Sequence, residues 1–264
     1  MLNHLLTFAI FLLIGIEIRD GLSHFKATIL PSVAALGGMI FPALIFLLLS
    51  ENNQPWATVM PTDVALAIGA LSLLGSRVNP SVKIFLMTLA VADDLFSLIA
   101  IGIFFRNDLD ISSAFYTIGA AVIGALLPYR HFLLRVLNPV ITFVVIPAYI
   151  WINLFAEIDY STFDSPLALA IVGARVIGKV VGITLFTYLM MRFTSLSLPS
   201  GMNIREVAGV GLLCGMGMTV SLVIAEITIE SSQVLSEIRS GLFIGALLSA
   251  LLGLTWLKRF PAVR

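Results

Sequence analysis

Residues 62–105 read TDVALAIGALSLLGSRVNPSVKIFLMTLAVADDLFSLIAIGIFF. Two features of this stretch decide the fold. The run Ile84–Phe105 is apolar over the length a helix needs to cross a bilayer, about 20 residues. Asp93 and Asp94 interrupt it near its middle, where one charge costs roughly 2.5–3.5 kcal/mol on insertion scales. Upstream, Pro61, Thr62 and Asp63 place a helix breaker and polar groups inside a second apolar run. Non-helical backbone at membrane depth is tolerated only where protein buries it or it lines a wet cavity. Ionisable groups at that depth point to an ion or substrate path.

The rest of the chain fits a membrane setting. Of 264 residues 59% are apolar and 11% charged, against roughly 25% charged in an ordinary soluble domain. Mean hydropathy is +1.06. A soluble globule, a disordered chain, collagen and a coiled coil are all excluded. Fifteen Lys and Arg balance fifteen Asp and Glu, so no basic face invites nucleic acid. The single Cys214 excludes a disulfide framework and a multi-thiolate metal site. The apolar runs lack the period-two alternation of barrel strands, so the spans are helices. Met1–Leu5 lacks a basic start and a small-residue cleavage site, which argues against a signal peptide.

Cutting at charges and Pro/Gly clusters gives an all-α polytopic protein of about nine spans. They are Leu5–Ile18, Ala27–Ser50, Ala57–Leu74, Ile84–Phe105, Ser112–Pro128, Phe132–Phe155, Pro166–Met191, Val207–Ile229 and Gly241–Leu257. The loops sort by charge. Arg19, Lys26, Arg77, Lys83, Arg130, Arg135, Arg192, Arg205, Lys258, Arg259 and Arg264 fall on one side, and only Arg106 and Arg239 on the other. The excess of cations marks the cytoplasmic side, so the N-terminus is expected outside and the C-terminus in the cytoplasm.

Spans two to four and seven to nine read as related triplets, each with an interrupted middle span. One interruption is Pro61-Thr62-Asp63; the other is Cys214-Gly215-Met216-Gly217-Met218-Thr219. An odd offset of five spans sets the triplets in opposite senses, which is an inverted repeat with two broken helices. Paired interruptions at matching places point to a mid-membrane ion or substrate site. Taken singly, each also fits an ordinary kink or packing contact.

The strongest anomalies among the charges inside the spans are Asp63, Asp93, Asp94, Arg175 and Lys179, with a formal sum of −3 + 2 = −1. They are either paired locks between helices or the transport site. Lys83, Arg192 and Arg19 fit interfacial snorkelling instead. Burial and a neighbouring negative charge raise a carboxylate's pKa, and a nearby cation lowers it. Two adjacent acids titrate as one coupled system. Hard cations take oxygen ligands, so carboxylates that accept Na+ or H+ make the two compete for one site. Lys179 can serve as a titratable counter-charge.

The 62–105 string, IGKVVGITLF around Lys179, VGLLCGMGMTVSLVIA at the second break, and the opening FLLIGIEIRDGL with AALGGMIFPAL resemble NhaA-type Na+/H+ antiporters. That resemblance implies a secondary active exchanger that brings external H+ in and sends Na+ or Li+ out, by alternating access, with no cofactor and no enzymatic reaction. It implies Asp94 as the main Na+ and H+ carboxylate, Asp93 as its partner salt-bridged to Lys179, and Thr62 as an oxygen donor, so the metal set for Na+ is Asp94, Asp93 and Thr62. It also implies that Asp63 and Lys179 compensate charge at the breaks, whose backbone is carried by Pro61, Gly215, Gly217 and Thr219. The setting implied is the bacterial inner membrane, with the lipid bilayer, Na+ and H+ as partners.

The departures are as informative. The family has twelve spans, so a first span and its hairpin would precede Met1. The stretch between Asp108 and Pro139 is shorter by about two helices. The division expected is a transport core at 27–105 and 166–257 and a reduced interface part at 1–20 and 111–156. The losses fall on the family's dimer region, so homodimerisation is not carried over. Arg135 and Asn138 stand where the family has histidines; His4, His24 and His131 sit near membrane ends. Altered or absent family-style pH activation follows, with Glu17 as a retained modulator. Arg175, four residues before Lys179, replaces an apolar residue. Either it pairs with Asp93 or Asp94 and weakens Na+ binding, or it faces the vestibule or Glu17 and takes no part. Two other functions remain open: a non-transporting regulatory remnant of the fold, and a Na+-coupled carrier of another substrate.

Overall fold

The computed structural model describes residues 2–22, 25–75, 78–105, 111–128, 130–199 and 201–259. His24, Arg77, Arg106, Asp108, Asp110 and Arg264 lie outside them. The described residues are helical with no strand. Six helices are long and apolar enough to cross a membrane: α1 (Leu2–Leu22), α2 (Phe25–Leu49), α4 (Pro80–Phe104), α6 (His131–Phe155), α7 (Pro166–Phe193) and α10 (Ser232–Arg259). Between them stand α3 (Val64–Ser72), the shorter apolar α5 (Ser112–Leu126), and the pair α8 (Ile204–Cys214) and α9 (Thr219–Thr228), bent by 46°.

Local sequence explains the starts. Asn79 caps α4 by accepting from the Ser81 N–H at 2.9 Å, with Pro80 in the first turn. Ser165 and Pro166 start α7 in the same way. Asn203 and Glu206 form a reciprocal capping box at α8.

Two boundaries differ from the sequence reading. The first helix runs Leu2–Leu22 rather than Leu5–Ile18, because it continues through Glu17, Arg19 and Asp20. Charged side chains near a helix end can lean out while the backbone continues. The run Ala57–Leu74 is not one interrupted α-helix. Its first arm is a short 3-10 helix, Gln54–Val59, followed by non-helical chain and then α3. Pro55 and Pro61 bracket that arm. Pro55 sits in the arm's first turn, where proline is tolerated, while Pro61 lacks an N–H and disfavours helix at the residue before it, which keeps the arm short.

Small residues bring α2 and α7 together. A Cβ on Gly182 would run into the Gly37 carbonyl oxygen, and one on Gly37 into that of Gly182. Two apolar clusters form the interior. One gathers Phe11, Phe46, Tyr149, Leu154 and Ile171; the other gathers Phe85, Leu86, Leu89, Ile183 and Leu213. Met216, in the second break, packs against both. The second break therefore sits at the junction of the two clusters.

Candidate functional site

At that junction the non-helical chain after Val59 meets the turn after Cys214. Contact is close: a Cβ on Gly217 would lie 2.6 Å from the Pro61 carbonyl oxygen and 2.9 Å from the Asp63 nitrogen. Each break exposes carbonyls at the end of one helical arm and N–H groups at the start of the next. Those ends carry about half a unit of negative and positive charge respectively. The buried side chains around them answer both signs.

Asp63 answers the N–H ends. It caps α3, its Oδ1 accepting from the Leu66 N–H at 3.3 Å, and its Oδ2 accepts from the Thr219 hydroxyl at 2.8 Å. Thr219 is the first residue of α9, so one carboxylate faces the start of both second arms.

Lys179 and Asp93 form the second pair. They project from α7 and α4, with Lys179 Nζ 3.7 Å from Asp93 Oδ1 and both side chains buried. Lys179 also donates to the Thr62 hydroxyl at 2.8 Å and to the Met60 carbonyl. Asp93 Oδ2 accepts from the Thr62 N–H at 2.6 Å. Thr62 thus locks the ion pair to the first break through its N–H and its hydroxyl.

Asp94 differs. It is only 4% exposed, yet among the described residues it makes no hydrogen bond or ion pair with protein. It lines a cavity of about 450 Å³ together with Glu17, Thr62, Asp63 and Thr219. Lys83, Arg135 and Asn138 line the same cavity. Among the described residues no three acids, histidines or cysteines converge as a metal cluster. What the cavity offers is two carboxylates, Asp94 and Glu17, that make no hydrogen bond or ion pair among the described residues, with hydroxyl oxygens nearby.

Arg175 fits neither reading made from sequence. It is fully buried and donates to the carbonyls of Thr58, Pro61, Gly215 and Gly217 and to the Ser221 hydroxyl. Among the described residues it pairs with no carboxylate, and Glu17 is not one of its partners. Four of its five partners are backbone oxygens at the breaks. A search for acidic partners overlooks these. Arg175 lies within a π-helical stretch, Ala174–Gly178, and Lys179 directly follows it; such bulges recur at functional sites.

A second cavity of about 490 Å³ lies at the other end of the bundle, lined by His4, Thr7, Tyr116, Thr117 and Glu226. His4 stacks on Tyr116 with ring centroids 4.8 Å apart. Glu226 accepts from the Tyr149 hydroxyl at 3.3 Å. Sequence reasoning missed Glu226, although an acid within the run Val207–Ile229 was visible. His131 lies 3.5 Å from Asp20 at the opposite end, and Arg19 donates to the Ala125 carbonyl at 2.7 Å.

Comparison with known proteins gives the family. The model described as Na+/H+ antiporter 1 matches residues 1–156 and 128–257. The Na(+)/H(+) antiporter NhaA of Salmonella arizonae is 31% identical over 319 aligned residues, covering 97% of this chain and 82% of that protein. Those of Salmonella typhi and Escherichia coli O139:H28 are 31% and 30% identical, with the same coverage. An alignment longer than the 264-residue chain must open gaps in it, the direction expected of a shortened middle. Both the matched length and the identity point the same way: the chain belongs to the Na+/H+ antiporter 1 family, whose members are transporters rather than enzymes.

Proposed function

We propose that the chain is a secondary active Na+(Li+)/H+ antiporter that exchanges external protons for internal sodium at Asp94. The observation that carries this reading is Asp94 itself, a buried carboxylate without a protein partner on the wall of a cavity. A carboxylate in that position holds either a proton or a hard cation, and the two exclude each other. Thr62 lines the same wall and can add oxygen. Asp93 is the reserve ligand: when Na+ draws on its oxygens, Lys179 loses its counter-charge and can release a proton. Asp63 keeps the breaks in place while this happens.

Alternating access needs a route from each side. Helices α1 and α9 line both cavities, through Ile10 and Val220 toward Asp94 and through Thr7 and Val223 toward Glu226. The first cavity has Lys83 and Arg135 in its lining, which favours the cytoplasmic side by the excess of cations. We read the chain as nine membrane crossings with an inverted repeat, a core at 27–105 and 166–257 and a reduced interface part. It is placed in a bacterial inner membrane with the N-terminus outside. Arg175 donates to no carboxylate, so it gives no support to a non-transporting remnant.

The test is reconstitution in liposomes with a trapped pH dye. Imposing a gradient and adding Na+, Li+ or K+ is expected to give Na+- or Li+-dependent proton movement that Asp94→Asn abolishes. Normal folding with no response to any cation refutes the proposal.

A further inference from the structure

We propose that Arg175 is a positioning residue of the exchange site, holding the carbonyl ends of both broken helices as one unit. The inference deepens the antiporter reading and rests on it. A guanidinium has five N–H donors in a rigid planar fork. Here five acceptors meet it. Nε donates to the Gly215 carbonyl at 3.2 Å; Nη1 donates to the Thr58 carbonyl at 2.9 Å and the Ser221 hydroxyl at 2.8 Å. Nη2 donates to the Pro61 carbonyl at 3.2 Å and to that of Gly217. Two acceptors belong to the first break and three to the second, so one side chain from α7 ties both together.

The charge balance fits the geometry. One full positive charge faces two carbonyl ends of about half a negative charge each. Asp63 does the converse at the two N–H ends. With the carbonyl ends answered, Lys179 keeps Asp93 and Thr62 as partners beyond its one carbonyl contact at Met60. An ammonium at position 175 would retain the charge but could serve only three acceptors. The segment carrying Pro61, Thr62 and Asp63 is non-helical chain with no helical ladder of its own. Its position against Asp93 depends on what grips it, and Arg175 holds the Pro61 carbonyl and, just before the segment, that of Thr58.

The test uses the full chain in liposomes and two readouts, the apparent KM for Na+ and the reactivity of Cys214. Cys214 is the chain's single cysteine, fully buried as the last residue of α8 beside the break, so a maleimide reports loosening there. Arg175→Met is expected to raise KM about ten-fold, the effect of unpaired buried carbonyls on site geometry, and to expose Cys214. Arg175→Lys should fall between it and the wild type on both. A purely structural role would lower the yield of protein but leave the KM of the surviving fraction unchanged, which overturns the proposal. A fall in KM also overturns it, since that is the sign expected of a guanidinium that repels Na+. If Arg175→Met cannot be recovered from membranes, Ser221→Ala removes one acceptor. Gly217→Ala puts a methyl 2.8 Å from Nη2. Both should move KM and Cys214 reactivity in the same direction by less, and no movement in either refutes the role. If the wild type moves no protons, the antiporter reading fails, and the Cys214 comparison still decides whether Arg175 holds the breaks.

Discussion

Replacing Asp63 tests the other half of that charge balance, and its cost can be worked from the contacts. Asp63→Ala removes an N-cap from α3, worth about 1 kcal/mol. It removes a hydrogen bond from Thr219 to a charged acceptor, worth about 1.5–3 kcal/mol. It leaves two helix starts without a counter-charge, each worth about 0.3–1 kcal/mol at an exposed site and up to roughly 2 when partly buried. These contributions overlap, and removing the carboxylate also relieves the cost of burying a charge. A net loss of about 3 kcal/mol is expected. At roughly 2–4 °C per kcal/mol for chains of this size, the unfolding midpoint in mild detergent should fall by about 6–12 °C, followed by fluorescence of the three tryptophans.

Asp63→Asn should lose about half as much, because it keeps one acceptor for the Leu66 N–H and the Thr219 hydroxyl can turn to accept. A double-mutant cycle with Thr219→Val isolates the contact between the two breaks, with a coupling of about 1–2 kcal/mol expected. Asp94→Asn is the control: it breaks no contact to protein and should leave the midpoint unchanged or raise it. An Asp63→Ala protein that unfolds within about 2 °C of the wild type, or a coupling of zero, would show that the two breaks are held by something else.

Two further outcomes follow from packing and from the loops. Gly182→Val should cost well over the 1–3 kcal/mol of ordinary overpacking, because its Cβ would meet the Gly37 backbone across α2 and α7, whereas Gly69→Ala, with open space around it, should gain about 0.5–1 kcal/mol; equal midpoints for the two would refute the close approach. Outside the membrane, the hydroxyl and N–H of Ser161 hold the Asp159 carboxyl below its ordinary range. A lowered folded value means the capping contribution is present above the ordinary aspartate pKa and is lost as pH falls through the lowered one. Hydrogen exchange in Tyr160–Thr162, corrected for its intrinsic rate, should therefore rise only on strong acidification, and Asp159→Ala should remove that dependence.

How far the sequence could be read depends on which atoms make the contacts. Asp93, Asp94 and Lys179 stood out because a charge in an apolar run is costly and therefore conspicuous. The pairing of Asp93 with Lys179 came from the family resemblance, since opposite signs alone leave three acids and two cations unassigned. The role of Thr62 was legible only in part: its hydroxyl was foreseen, but its N–H, which holds Asp93, carries no residue identity. Arg175 was misread for the same reason. Four of its five partners are carbonyls at the breaks, and every residue has a carbonyl. Proline spacing held part of the information about the first arm, since Pro61 ends any helix that Pro55 begins. Glu226 was overlooked because it lies toward the end of a long apolar run, where an acid looks like a boundary.

The five membrane-depth charges can now be divided by partner. Asp63 faces the N–H ends of two arms, and Arg175 faces the carbonyl ends of the other two. Those two sets cancel within the backbone dipoles of the breaks. Lys179 and Asp93 cancel each other. The formal sum of −1 is then the charge of Asp94 alone. A buried carboxylate left unbalanced is unfavourable unless a cation or a proton joins it. Of these five, Asp94 alone is left without a protein partner, on the cavity wall it shares with Glu17, and in the proposed exchange its balance comes from outside the protein. Supplying that balance alternately with H+ and with Na+ is what an antiporter does, and a chain in which Arg175 had instead been paired with Asp94 would have no such need.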